Sequence, residues 1–246
     1  MLIQQTLEKL YKHRLFGIAQ AVREQMEKPE LQALSFDERL GLAVDEEDLY
    51  RDNRRRERLQ KRARLKIKGA MPEGINYQPD RGLDRSLMST LFSCDYITYG
   101  QNIFITGLTG TGKTYLGCAL CNQAMRKGIP AIQERVPNLL ESLETAQADG
   151  SLRKERTRVT NPPVLFLDDW GVSALTERGR QELLEVIDSR PDNSSIIITS
   201  QLPVSAWHAW IGGEGTLADA ILDRLVHSAH RIELRGESQR KLRAKA

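Results

Sequence analysis

The residues Gly107-Leu108-Thr109-Gly110-Thr111-Gly112-Lys113-Thr114 constrain this chain more than any other stretch. They fit G-x-x-x-x-G-K-[ST], the phosphate-binding P-loop. Its glycines let the backbone curl until several N–H groups face one point. The lysine adds a charge for the outer phosphates, and the threonine hydroxyl can reach Mg²⁺. Such a loop works only between a strand and a helix. Upstream, Asn102-Ile103-Phe104-Ile105-Thr106 predicts a buried strand. Downstream, Tyr115 to Met125 predicts a helix that Gly128 and Pro130 close. The start of that helix turns partial positive charge toward a bound phosphate. Gly107, Thr109, Gly110, Thr111, Gly112, Lys113, Thr114 and Tyr115 are therefore the candidate nucleotide-binding residues. A glycine-rich turn that binds nothing is the bland alternative, and the strand–loop–helix setting argues against it.

Strands and helices keep alternating from about residue 80 to 236. Ala131 to Val136 predicts a short strand, and Pro137 opens a helix toward Ala148. Gly150 to Pro163 is polar and predicts a loop. Val164-Leu165-Phe166-Leu167 predicts a buried strand. Thr176 to Ser189 is amphipathic, and Ser195 to Thr199 is another buried strand. Two short helices follow, the second around Leu217 to Leu225, and Ala229 to Leu234 closes the series as a strand. This alternation implies an α/β fold with a parallel sheet covered by helices on both faces.

The Val164-Leu165-Phe166-Leu167 strand delivers Asp168 and Asp169. One carboxylate there can help hold Mg²⁺ opposite Thr114, so Thr114 and Asp168 are the candidate metal residues. The other, Asp169, can orient and deprotonate an attacking water. Two acids merely ending a strand are the alternative, and the P-loop weighs against it. One more strand–helix unit fits between the two motifs, so the carboxylate strand need not neighbour the P-loop strand. A further apolar strand ends in Ser200-Gln201, polar groups able to face a γ-phosphate or a water. That layout resembles the additional-strand ATPases. No guanine-reading N-K-x-D is present, which argues against a GTPase. Arg224, near the end of a helix, is a candidate finger for a nucleotide on a neighbouring subunit. A surface ion pair with Asp223 is its alternative.

Residues 1–70 read as a helical domain. Apolar residues recur at helical spacing from Leu2 to Met26, and Pro29 interrupts them. Ser35-Phe36-Asp37-Glu38 has the capping-box pattern, from which a long helix runs toward Lys68. Gly69, Pro72, Gly74 and Pro79 mark a linker over 71–82, leaving 83–246 as the nucleotide domain. The long helix ends in ten basic residues: Arg51, Arg54, Arg55, Arg56, Arg58, Lys61, Arg62, Arg64, Lys66 and Lys68. Within that span only Asp52 and Glu57 oppose them. Like charges one turn apart repel, so a polyanion would steady the helix. Double-stranded DNA fits. No aromatic residues are interleaved for base stacking, so contacts to the phosphate backbone with weak sequence preference are expected. A solvated charged face is the alternative. A second basic cluster comprises Arg235, Arg240, Lys241, Arg243 and Lys245.

Overall composition is compatible with this reading. The chain of 246 residues carries a net charge of only +3, so the basic residues matter by their clustering. No apolar run of about 18 residues exists and the N-terminus lacks a signal-peptide layout, so a cytoplasmic protein with no membrane role is expected. Three cysteines make no disulfide framework. Cys118 and Cys121 form C-x-x-C inside the P-loop helix, where small core residues are the expected reading.

Gly107 to Thr114, Val164 to Gly171, Ile196 to Pro203 and Leu217-Ala218-Asp219-Ala220-Ile221-Leu222-Asp223-Arg224-Leu225 together resemble the IstB family. These are helper ATPases of bacterial insertion sequences, related to the DnaC helicase loaders within the AAA+ class. The resemblance spans most of the chain. It implies ATP and Mg²⁺ as cofactors, homo-oligomeric assembly on double-stranded DNA, DNA bending, and delivery of that DNA to a partner transposase. It also implies that Lys113 and Thr114 bind phosphate and Mg²⁺, with Asp168 supporting the metal. Asp169 then matches the catalytic carboxylate, Ser200 and Gln201 the polar sensor, and Arg224 the finger. Two departures stand out. Asp169 replaces the glutamate of most AAA+ ATPases, so slow hydrolysis is expected. Only twelve residues follow the last strand, so no C-terminal lid is expected. Two other readings remain: a DnaC-like replicative helicase loader, and a nucleotide kinase, which would need a substrate lid and no basic helix.

Overall fold

A computed structural model describes residues 2–212 and 215–239 of the chain. Arg240, Lys241, Arg243 and Lys245 of the C-terminal basic cluster lie outside the described residues. The chain divides into two compact units, Met1–Arg58 and Leu59–Ala246.

The first unit is helical: α1 (Leu2–Lys12), α2 (Phe16–Glu27), α3 (Pro29–Gln32) and most of α4 (Phe36–Ala63). The expected single run to Glu27 is broken at Arg14, whose φ of +60° belongs to the left-handed region. The capping box forms: Ser35 N–H donates to Glu38 at 2.8 Å, and Glu38 N–H returns to Ser35 Oγ at 3.3 Å. The start of α2 is capped from another helix. Buried Glu47 of α4 accepts from the N–H groups of Gly17 (2.7 Å) and Ile18 (3.2 Å), and from Arg51 at 2.7 Å. Burial pushes the Glu47 pKa up, but Arg51 and these two amides outweigh it, so the carboxyl sits below its ordinary range. The approach needs glycine, since a Cβ on Gly17 would meet the Glu46 carbonyl at 2.4 Å.

In the second unit the sequence expectation of a helix to Lys68 and a domain border near 70 meets a different chain path. Helix α4 stops at Ala63, and Arg64 turns left-handed with φ +54°. Leu59, Ala63, Leu65, Ile67 and Ala70 pack into the α/β core, which places the division at residue 58. The order then runs α5 (Arg85–Phe92), α6 (Asp95–Thr98), β1 (Asn102–Gly107), α7 (Lys113–Arg126), β2 (Ala131–Arg135), α8 (Val136–Ala148), α9 (Leu152–Thr160), β3 (Val164–Trp170), α10 (Glu177–Asp188), β4 (Ser195–Ser200), α11 (Trp207–Ile211), α12 (Thr216–Val226) and β5 (Ala229–Leu234). Residues expected to form a polar loop over 150–163 instead build α9. Arg156 and Arg158 pair with Glu182, Glu134 and Glu155, and Val159 is fully buried.

All strand pairs are parallel, in the order β2-β3-β4-β1-β5. Strand β4 therefore separates the P-loop strand from the carboxylate strand, as their sequence spacing allowed. Alternate residues serve opposite faces. Ile103, Ile105, Phe166, Ile197 and Ile232 pack beneath α5 to α7. Phe104, Leu165, Leu167, Ile196 and Ile198 pack against α8 and α10 to α12. Both faces are thus apolar, which is why these strands read as continuous hydrophobic runs. Each such side chain, fully buried, contributes about 1.5–3 kcal/mol relative to exposure. Helix α7 lies so close over β3 that a Cβ on Gly117 would meet the Phe166 ring at 2.4 Å. No described helix is long and apolar enough to cross a membrane.

Candidate nucleotide-binding site

The carboxyl ends of β1, β3 and β4 meet the start of α7 at a cleft of about 340 Å³. Its floor is the P-loop. Gly107, Gly110 and Gly112 have φ of +143°, +89° and +101°, values a side chain would strain. A Cβ on Gly107 would also meet the Leu234 carbonyl at 2.2 Å. Thr111 is buried, with its hydroxyl donating to the Leu108 carbonyl at 2.9 Å, so its side chain braces the loop. Lys113 Nζ donates to the carbonyls of Gly107 (2.7 Å) and Leu108 (2.8 Å), which holds the ammonium across the mouth of the loop.

Thr114 and Asp168 come together as the motifs require. The Thr114 hydroxyl lies 3.0 and 3.2 Å from the two Asp168 carboxylate oxygens. Asp168 is almost fully buried and also accepts from Gln133 Nε2 at 3.2 Å and from the Thr199 hydroxyl. A buried carboxylate so fully bonded is fixed in place. A hydroxyl and a carboxylate beside a phosphate cradle are the oxygen donors that Mg²⁺ accepts alongside triphosphate oxygens and water. These residues fit ATP with Mg²⁺.

Asp169 faces the cleft from a sharp irregularity at the end of β3. Its φ is +62°, and its N–H donates to Thr199 Oγ1 at 3.3 Å. Its carboxylate pairs with Arg135 Nε at 2.7 Å. Gln201 accepts from the Thr109 hydroxyl at 2.7 Å, tying the end of β4 to the P-loop. Ser200 lines the cleft, but its hydroxyl donates to the Trp170 carbonyl at 2.8 Å and accepts from Leu202 N–H, so it braces two strand ends. The Tyr115 ring lines the cleft, with its hydroxyl bonded to the Met71 backbone. Arg224 is not among the cleft residues of its own chain. It pairs with Asp188 at the end of α10, not with Asp223, and donates to the Ala220 carbonyl at 3.2 Å.

Several cleft residues carry no sequence signal. Ile67, Ile75 and Leu83 form an apolar wall beside the phosphate cradle, suited to a flat base, with Asn76 among them. Three of the four lie in or beside the stretch expected as a linker. Arg81 and Thr199 join them, and Gln133 and Arg135 of β2 reach the carboxylates of Asp168 and Asp169. Only the sheet register, in which Arg135 lies opposite Asp168, could have flagged the two on β2.

The basic residues distribute between the units. Arg51, Arg54, Arg55 and Arg58 belong to the first; Lys61, Arg62, Arg64, Lys66 and Lys68 belong to the second. Opposing acids come from beyond the basic stretch as well as within it. Arg51 pairs with Glu47, Arg54 with Glu57, and Arg64 with Glu134.

A family profile described as IstB-like ATP binding protein matches residues 8–246. The ATP-binding protein of insertion sequence IS1162 from Pseudomonas fluorescens is 47% identical over 205 residues, covering 83% of this chain and 89% of that protein. An insertion-sequence ATP-binding protein of Sinorhizobium fredii is 43% identical over 241 residues, covering 98% of each chain. Among solved structures, the DnaC helicase loader matches with a TM-score of 0.53 at 23% identity, over 65% of this chain and 94% of that one. DnaI matches with a TM-score of 0.58 at 21% identity, over 68% and 91%. AMPPCP-bound DnaA from Aquifex aeolicus matches with a TM-score of 0.55 at 21% identity, over 74% and 55%. At these identities the likeness to the solved structures is one of fold.

Proposed function

The chain belongs to the IstB-like ATP-binding proteins of insertion sequences, and from that premise we propose that it is an ATP-switched transposition helper. In this reading it is a cytoplasmic ATPase. It assembles as a homo-oligomer on double-stranded target DNA, bends or remodels that DNA, and hands it to a partner transposase. Hydrolysis times assembly and release. The observation that carries the proposal is the Thr114–Asp168 pair beside the P-loop, in a chain that aligns end to end with insertion-sequence ATP-binding proteins.

The geometry supports the following roles. The P-loop amides and Lys113 would bind the phosphates, and Thr114 with Asp168 would hold Mg²⁺, which would supply charge neutralisation during phosphoryl transfer. Asp169 accepts the proton of the attacking water. Arg224, turned away from its own cleft, stabilises negative charge at the nucleotide of a neighbouring subunit. The basic residues from Arg51 to Lys68 neutralise DNA phosphates. If about six of them do so, log affinity falls with log salt at a slope of about −5. The helicase-loader alternative rests on fold likeness alone.

Sedimentation on duplex DNA with a non-hydrolysable ATP analogue tests this. Wild type is expected to form large nucleotide-dependent complexes, and Lys113→Ala is expected to form none. Equal assembly by both proteins would sink the switch.

A further inference from the structure

Arg81 is a cation sealed into the wall of the nucleotide cleft. Its residue is 5% exposed, and the sequence motifs give it no role. Nη2 donates to the Thr111 carbonyl inside the P-loop at 2.6 Å, and Nη1 donates to the carbonyl of Asn76 in the apolar wall. Nε has no hydrogen-bond partner. Among the described residues no carboxylate forms an ion pair with it; the neighbouring Asp80 instead lies against Gly236. Burial lowers the pKa of the guanidinium from its ordinary value, with Asp80 only partly offsetting. The Arg81 carbonyl meanwhile accepts from Arg235 N–H at 3.1 Å, just past β5. One residue thus joins the base wall, the P-loop and the segment leaving the last strand.

A buried guanidinium satisfied by two carbonyls and no anion is an incomplete arrangement. Its fork is still short of one acceptor, and carbonyl dipoles do not cancel its charge. The cleft also holds Lys66 and Lys113 but a single lining carboxylate, Asp169, already paired with Arg135. A polyphosphate is the anion that such a cleft admits. Guanidinium is the side chain best shaped to grip it.

We propose that Arg81 is a phosphate-contacting residue of the nucleotide site, which fastens the base wall of residues 75–83 onto the P-loop when a nucleoside triphosphate is bound. The proposal rests on the nucleotide-binding reading of the cleft. It assigns a cis cation to the segment before β1, supplied from the amino-terminal side of the core.

The test is displacement of a fluorescent ATP analogue by ATP, ADP and adenosine, with the melting midpoint of the nucleotide-free protein measured alongside. Arg81→Met keeps the length of the side chain and removes the charge. Its affinity for ATP is expected to fall about tenfold or more, the loss of one charge-assisted hydrogen bond, while adenosine changes little. Arg81→Lys keeps the charge without the fork and guards against a folding defect in the first variant. It is expected to lose ATP affinity severalfold, again with adenosine spared. Equal losses for ATP and adenosine in both variants would make Arg81 a strut of the fold and overturn the proposal, as would unchanged ATP affinity. Wild type failing to bind ATP would instead overturn the nucleotide reading itself.

Discussion

Arg135, the last residue of β2, holds the carboxylate of Asp169 at 2.7 Å from the end of the neighbouring strand. The pair forms because Arg135 lies opposite Asp168 in the parallel register, while a left-handed backbone at Asp169 turns the next carboxylate toward the cleft. A carboxylate oxygen occupied by a guanidinium must let it go before it can take up an attacking water. The general base of the proposed reaction is thus restrained by a residue that no nucleotide motif contains.

Removing that restraint has a definite expected effect. Arg135→Ala should raise unstimulated ATP hydrolysis severalfold with ATP affinity unchanged. Asp169→Asn should abolish hydrolysis and spare binding. Phosphate release and ATP titration measure the two quantities. A drop in turnover for Arg135→Ala would mean that the arginine aims Asp169 for its work.

The finger role proposed for Arg224 predicts complementation between two inactive proteins. Lys113→Ala has a disabled loop and an intact finger. Arg224→Ala has the reverse. Each alone is expected to hydrolyse ATP poorly on DNA, and a mixture should recover activity at sites made from both chains. A mixture as inactive as its components would rule out a shared site.

Arg190 predicts a stability effect remote from chemistry. Its two terminal nitrogens donate to five carbonyls: Val159, Thr160, Pro162, Pro163 and Ser195, at 3.0–3.3 Å. Burial pushes this guanidinium down to about 10. The five acceptors belong to the end of α9, the turn into β3 and the start of β4, and Arg190 is what gathers them. Arg190→Leu should cost about 2–4 kcal/mol, because buried carbonyls lose their donors. Urea unfolding monitored by tryptophan fluorescence measures the loss, and a cost below about 0.5 kcal/mol would show that water replaces the side chain.

The cysteines predict an alkaline limb. All three are buried and free, and burial pushes Cys94 up to about 11 and Cys118 up to about 12 from an ordinary value of 9.0. Near neutral pH both thiols are protonated in the folded and unfolded chains, so they give no pH dependence there. Above pH 9 the unfolded chain loses these protons and the folded chain keeps them. Stability therefore falls as pH rises from about 9 toward 12. Cys118→Ala should flatten that fall, seen as a smaller drop in melting midpoint between pH 8 and 10.5. Thiol reagents at pH 8 should leave the folded protein unmodified.

What the sequence made legible follows from where the information lies. The P-loop, β1, β3 and β4 were readable because runs such as Val164-Leu165-Phe166-Leu167 are apolar on both faces and end in chemistry-bearing residues. Helix α9 was not, since few apolar residues anchor it and ion pairs with distant acids help to hold it. The border near residue 58 was hidden because the charge of α4 runs on past the point where Leu59 and Ala63 enter the core. Asp168 was legible from its strand. Its partners Gln133 and Thr199 were not, because they sit on neighbouring strands and reach it only through the register. Arg81 gave no signal at all, since its role depends on a turn folding back over the loop.

The strand order β2-β3-β4-β1-β5 has a consequence for how the protein is made. Strand β1 is complete at Gly107, yet its two neighbours, β4 and β5, begin at Ser195 and Ala229. A growing chain on the ribosome carries the P-loop strand long before anything can pair with it. During that interval β2 and β3 can join, but Ile103, Phe104 and Ile105 have no ladder to enter. Loop closure across this distance is slow, and an exposed apolar strand invites misassociation. The triphosphate cradle is therefore among the last parts to take shape, so a message truncated before codon 229 yields a chain whose P-loop is written but never built.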